Sequence, residues 1–380
     1  MKRNMLLTPG PTQVPSRLCQ ALGKPIIHHR TPQFQAYLKE AIEGLQDVFQ
    51  TKNDIYIIAS SGTGAMDASV SNFFSPSDKI ISVEGGKFGE RWSEIARAYG
   101  LDCHALKQEW GRTVNIDEIK KLLESDKEIK GVFVTLCETS TGVTTDIKKL
   151  GEVMARTDAL LIVDAVSGLG AVELKTDDWK VDVVAAASHK GLMLPPGLGF
   201  VSVSEKAKAR MDASTCPKFY LDLKKYKKVF SKPDTPFTPA IGLVVALTES
   251  LRMIKETGLE NVFAHHARLA KGTRAAAEAL GLSLLADDAS ISNAVTAINV
   301  PDGIDGAKLV KLMRDTYGIS MAGGQAHLKG KIIRIAHMGA LDEYDMLLGI
   351  SVLEKALKEL GYKFELGVGV AAAQKVFNED

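Results

Sequence analysis

Leu160-Leu161-Ile162-Val163-Asp164-Ala165-Val166-Ser167-Gly168 is an apolar run that ends on a carboxylate. A side chain of that kind at the end of so hydrophobic a strand is costly to desolvate unless a cation meets it. A protonated ring nitrogen would be such a cation; a helix cap or a turn is the plainer role for Asp164. Val183-Val184-Ala185-Ala186-Ala187 repeats the plan and leads into Ser188-His189-Lys190-Gly191 and then Pro195-Pro196-Gly197. Beside a buried strand end a lysine amine loses proton affinity. Lys190 is thereby fitted to attack an aldehyde and later to carry a proton. Most lysines are solvated surface charges, but an aspartate and a lysine that each close an apolar strand form a rarer pair.

Working outward, short apolar β-branched runs recur at Ile55–Ala59, Lys79–Val83, Gly131–Leu136, Val181–Ala187 and Gly199–Val203. Between them Glu90–Tyr99, Ile116–Leu123 and Ile147–Ala155 carry apolar residues at three- and four-residue spacing. This alternation predicts an α/β fold with a largely parallel sheet. Ligands of such sheets bind beyond the carboxyl ends of the strands. There Ser60-Ser61-Gly62-Thr63-Gly64-Ala65-Met66 joins a strand to a helix, and its small residues suit a phosphate cradle. It matches neither the dinucleotide fingerprint nor the Walker loop. Lys218–Lys232 reads as a polar linker or surface excursion, followed by the proline-punctuated Pro233–Pro239 and a long helical pattern from Ala240 to about Leu280. Strand-like Ala294–Val300 and Lys331–Ala336 mark a second, smaller α/β unit. The expected division is 1–255 for the large domain, with an N-terminal segment contributing to the site, and 256–380 for the small one.

Composition narrows the function. With 45% hydrophobic and 24% charged residues and a net charge of +1, the chain has no field of one sign for nucleic acid or anionic lipid. The four cysteines, Cys19, Cys103, Cys137 and Cys216, include no C-x-x-C pair, which points to a reducing, cytoplasmic setting. Met1–Leu7 runs straight into Thr8-Pro9-Gly10-Pro11 without the apolar stretch of a signal peptide, and no run reaches the length of a membrane helix. His28, His29, His265 and His266 invite a metal reading, but neighbouring histidines share no helix face and no carboxylate completes a site. No metal is expected.

Taken together, the stretches resemble the class V aminotransferases, in the alanine/serine–glyoxylate and serine–pyruvate branch of the fold-type I pyridoxal 5′-phosphate (PLP) enzymes. The matching pieces include Leu6–Thr12, His28-His29-Arg30-Thr31-Pro32, Ser61–Gly64, Glu138-Thr139-Ser140-Thr141-Gly142-Val143, Val163–Val166, Ser188-His189-Lys190, Thr235-Pro236-Phe237-Thr238-Pro239-Ala240 and Ile333-Arg334-Ile335. They occur in family order over nearly the whole chain. The resemblance implies a large domain with a mostly parallel, seven-stranded type of sheet and a smaller C-terminal α/β domain. It implies that Lys190 holds PLP as an imine, that Asp164 pairs with the ring nitrogen, and that Val166 presses on one ring face. Phe88, in Gly85-Gly86-Lys87-Phe88-Gly89, takes the position of the aromatic residue on the other face, where the branch often carries tryptophan. Thr139 would hydrogen-bond the ring hydroxyl, while Gly62, Thr63, Gly64, His189 and Thr238 would serve the phosphate. Arg334 would clamp the substrate carboxylate, with Gly10 beside the substrate.

Transamination from alanine or serine to glyoxylate or pyruvate is the function so implied. Ureidoglycine–glyoxylate and aminoethylphosphonate aminotransferases share the cofactor set and stand as alternatives. A lyase of the cysteine desulfurase kind needs a nucleophilic thiolate on a mobile loop, and Gly323–Lys331 has no cysteine. A non-catalytic subunit would have no use for Lys190, Asp164 and Arg334 together. The expected partners are small amino and keto acids and a second copy of the chain, in a homodimer that shares Thr238 across its interface.

Overall fold

In a computed structural model that describes residues 4–379, a seven-stranded sheet forms the centre of the molecule. Its strands are β1 (Asp54–Ser60), β2 (Lys79–Glu84), β3 (Asp102–Lys107), β4 (Ile129–Thr135), β5 (Leu160–Asp164), β6 (Val183–Ala187) and β7 (Gly197–Val203). They lie in the order β1-β7-β6-β5-β4-β2-β3. Only β7 runs antiparallel to its neighbours, so the carboxyl ends of β1, β4, β5 and β6 open on one edge.

Alternation within β5 explains why that run is apolar throughout. Leu161 and Val163 enter one core with Leu38 and Leu45, whereas Leu160 and Ile162 enter a second core with Trp92 and Phe133. A strand covered on both faces has no solvent side on which to place a polar residue. β3 escapes the sequence pattern for the opposite reason. It is an edge strand with β2 as its one partner, and Asp102-Cys103-His104-Ala105-Leu106-Lys107 keeps alternate residues in water.

Two other segments depart from expectation. Lys218–Lys232 is no linker: Leu223–Phe230 is a helix capped by the Asp222 carboxylate, with Leu223 and Tyr226 buried and its lysines on the outer face. The stretch from Ala240 to Leu280 is two helices, Ile241–Thr257 and Leu259–Ala279, broken where Gly258 takes a φ of +84°. That conformation is strained for residues with a Cβ and open to glycine.

Beyond the second helix lies a three-stranded antiparallel sheet of β8 (Val295–Asn299), β9 (Ala322–Gly323) and β10 (Ile332–Ala336). It packs a separate core that includes Leu269, Ile333 and Ile350. Met5 and Leu7 are buried in the same core, and Met5–Leu6 pairs in parallel with Ile319–Ser320. The N-terminal segment forms its own two-stranded pairing there, and Leu7 O accepts from Ala336 N of β10 at 2.9 Å, before the chain crosses to the edge of the large sheet. Among the described residues no helix is long and apolar enough to cross a membrane.

Candidate active site

Lys190 follows β6 and is only 6% exposed. Its Nζ donates to the carbonyl of Pro9 and to Ser167 Oγ at 3.2 Å. Burial lowers the amine to about 8, partly offset by the charge of Asp164. Gly10 makes this approach possible. Its φ is +117°, and a Cβ there would lie 2.3 Å from Lys190 Nζ. The crossing segment is tied down by Thr12, whose Oγ1 donates to the Lys190 carbonyl at 2.9 Å.

Asp164, the last residue of β5, is 2% exposed. It accepts from Val166 N at 2.8 Å, and burial raises its carboxyl to about 7. One donor does not offset the desolvation of a carboxylate. Among the described residues no cation lies in contact with it, which leaves the side chain suited to one supplied from outside.

Around these two groups a recess is lined by Gly62, Thr63, Phe88, Val166 and His189. The helix Gly62–Ser71 starts on its wall, with Ser61 as N-cap accepting from Gly64 N at 3.3 Å. The first-turn N–H groups of Gly62 and Thr63 have no intrahelical acceptor and carry the positive end of the helix dipole. A Cβ on Gly62 would sit 2.7 Å from Val166 Cγ2, so glycine keeps this corner open. Among the described residues His189 Nδ1 is buried without a hydrogen-bond partner, and burial lowers the imidazole to about 4. A neutral ring with an unused nitrogen can give one hydrogen bond to an anion.

Arg334, on β10, is 6% exposed. Its Nη1 donates to Thr139 O at 2.7 Å, and Nε and Nη2 donate to Gly323 O at 3.0 and 2.8 Å. The guanidinium thus ties the small sheet to the segment that follows Glu138 through backbone carbonyls. Among the described residues no carboxylate lies within ion-pair distance of it. Burial lowers it to about 10. A carboxylate-bearing substrate is the counter-charge such a group lacks.

The structure brings together Lys190, Asp164, Gly62, Thr63, Phe88, Val166 and His189. Thr139 and Arg334 are bonded to each other and do not line this recess, although the Arg334 charge acts on Lys190. Gly64 stands behind the helix start. Thr238 is elsewhere: it is exposed and borders a separate recess with Leu38, Tyr220 and Phe237. Arg91 is a lining residue that sequence reasoning missed. It donates to Thr63 Oγ1 at 3.2 Å and lies 4.9 Å from the Phe88 ring centre. Its spacing from Phe88, one helical turn, was the available signal.

Residues 6–338 match the family model described as aminotransferase class-V. The chain is 46% identical to the small subunit of a soluble hydrogenase from Synechococcus sp. (strain PCC 6716), over 98% of each chain. It is 37% identical to serine–glyoxylate aminotransferase from Methylorubrum extorquens, over 100% of this chain and 97% of that one. The crystal structure of ureidoglycine–glyoxylate aminotransferase from Bacillus subtilis superposes with a TM-score of 0.96 at 31% identity, covering 100% and 99% of the two chains.

Proposed function

The chain belongs to the class-V aminotransferases, and we propose that it transfers an amino group from alanine or serine to glyoxylate or pyruvate. The observation that carries this reading is the burial of Lys190 and Asp164 together with that of Arg334, whose charge acts on Lys190 and which has no carboxylate within ion-pair distance among the described residues.

These residues fit PLP, the cofactor that the family implies. The under-solvated Asp164, the unpartnered His189 nitrogen and the open corner at Gly62 each suit one part of it. Lys190 would hold it covalently and Asp164 would face its ring nitrogen. Val166 and Phe88 would flank its ring, and Thr139 would meet its hydroxyl. Gly62, Thr63, Gly64 and His189 would serve its phosphate. When bound, it supplies a carbonyl to take up the amino group and a ring to receive electrons from the α-carbon.

The chain's residues supply the rest. Lys190, with an amine lowered to about 8, can take and return the α-proton near neutral pH. Ser167 and the Pro9 carbonyl hold the amine between proton transfers. Arg334 would fix the substrate by its carboxylate through two parallel N–H···O bonds. The names of the serine–glyoxylate and ureidoglycine–glyoxylate relatives support glyoxylate as acceptor. The Bacillus subtilis structure also favours ureidoglycine as a second donor to test. Lyase chemistry through a thiolate finds no support at Cys137, which lies buried against Ser292 with its thiol raised to about 12 by burial.

A panel of donors assayed against glyoxylate and pyruvate tests the substrate reading. Borohydride reduction and peptide mapping of the loaded protein test its basis. Alanine or serine should lead the panel, and the adduct should fall on Lys190. Attachment to another lysine would overturn the assignment.

Thr238 serves the phosphate, in this proposal, from the second chain of a homodimer. Its absence from the lining of its own chain's recess supports that arrangement. Mixing inactive Lys190→Ala chains with inactive Thr238→Glu chains should restore activity. No recovery despite demonstrated subunit exchange would count against sharing.

A further inference from the structure

Glu138 is buried beside the site and is not used by the chemistry above. It ends the short strand Cys137–Glu138 and is 5% exposed. Oε2 accepts from Phe88 N at 3.0 Å and Gly89 N at 2.9 Å; Oε1 accepts from Ser140 N at 3.2 Å and Ser140 Oγ at 2.5 Å. Ser140 Oγ in turn accepts from Lys87 N at 3.0 Å.

These contacts account for the start of the helix Lys87–Ala98. Its first N–H groups have no intrahelical acceptor, and its N-cap, Gly86, has no side chain to cap them. Glu138 and Ser140 do so from the neighbouring strand end. Gly86 is what admits them, because a Cβ there would lie 2.4 Å from Glu138 Cγ, Glu138 Cδ and Ser140 Oγ. Phe88 is the second residue of this helix, and its ring lines the recess that Val166 also lines. A phenyl ring has no hydrogen bond of its own to set its place, so its place follows from its backbone.

We propose that Glu138 is a positioning residue whose carboxylate, through the backbone N–H groups of Phe88 and Gly89, holds the Phe88 ring across from Val166 at the spacing a flat cofactor ring requires. The proposal rests on reading Phe88 as one face of the cofactor site. Because the Glu138 charge also acts on Asp164 and Arg334, the double-mutant cycle with Phe88 is what separates positioning from a structural or purely electrostatic role.

Glu138→Gln presents N–H groups where one carboxylate oxygen accepted, so one pair of donors loses its acceptor. In the cofactor-free protein, hydrogen exchange at the amides of residues 87–89 should quicken by about tenfold, with the unfolding midpoint nearly unchanged. PLP affinity, titrated by absorbance, should weaken by about tenfold. In a double-mutant cycle, Glu138→Gln should cost less than about twofold once Phe88→Ala is present. Losses that multiply independently would overturn the proposal. Unchanged PLP affinity in Phe88→Ala would remove the stacking reading and the proposal with it, whatever the exchange data show. If Glu138→Gln does not fold, Ser140→Ala takes its place in the same cycle, since it removes the acceptor of Lys87 N and one donor to the carboxylate.

Discussion

β4 and β5 lie side by side, with Thr135 opposite Asp164, and the chain leaving each buries a carboxylate at the same edge of the sheet. Beyond β4, Glu138 receives four donors from the chain itself. At the end of β5, Asp164 receives one. Both are pushed upward in pKa by burial, yet the two regions handle that cost differently. Where the protein supplies the donors, the carboxylate builds geometry and has little left to offer a ligand. Where it withholds them, the carboxylate is left free to meet an external cation, the role proposed for Asp164. Hydrogen-bond satisfaction therefore separates a framework acid from a ligand-binding one more clearly than burial does.

The largest expected effect breaks the open side of that comparison. Asp164→Asn removes the partner of a buried cation, and cofactor affinity should fall on the order of 10²–10³-fold. Stability of the cofactor-free protein should move the other way. The carboxyl is raised from 3.8 to about 7, so the folded state holds a proton that the unfolded state releases. Wild-type stability must then fall as pH rises through that window, and the amide escapes the loss. Thermal unfolding at pH 8 should find cofactor-free Asp164→Asn more stable than wild type, with the gap closing near pH 4. A less stable variant at pH 8 would show that Asp164 is as well satisfied as Glu138.

A middling effect belongs to Arg334, the cationic counterpart of Asp164. Arg334→Lys replaces a planar fork by a point charge, so KM for the amino donor should rise about 10- to 100-fold. PLP affinity should stay within about twofold of wild type, because the proposed contact is to substrate alone. Half-reaction titrations read both. Unchanged donor affinity would place the carboxylate elsewhere.

The smallest effect is one of pH. Only the free amine attacks an aldehyde, so capture of PLP by cofactor-free protein should speed up by about tenfold between pH 7 and pH 9 and then level off. That plateau follows from a Lys190 amine lowered to about 8. A rate still climbing at pH 10 would mean an ordinary lysine. Because the Asp164 charge raises the Lys190 value, Asp164→Asn should shift the plateau to lower pH.

Some of this was legible beforehand because it is written in short-range pattern. Apolar strands buried on both faces announce themselves, and a polar residue at the end of one stands out against them. Lys190, Asp164 and the Gly62–Thr63 turn were found on that ground. β3 was not, since an edge strand may be half polar, and the Leu223–Phe230 helix hid behind lysines that face water.

The sequence by itself determined the α/β class, most strands of the large sheet in their order along the chain, and two residues, Lys190 and Asp164, that stand out at the ends of apolar strands. Tertiary structure alone decided which groups meet them. The Pro9 carbonyl reaches Lys190, Arg334 bridges to Thr139, and Glu138 caps the helix that carries Phe88. Most of these contacts run through backbone atoms, which every residue possesses, between segments far apart in the chain. Such contacts leave almost no mark on residue type, and only the folded arrangement can reveal them.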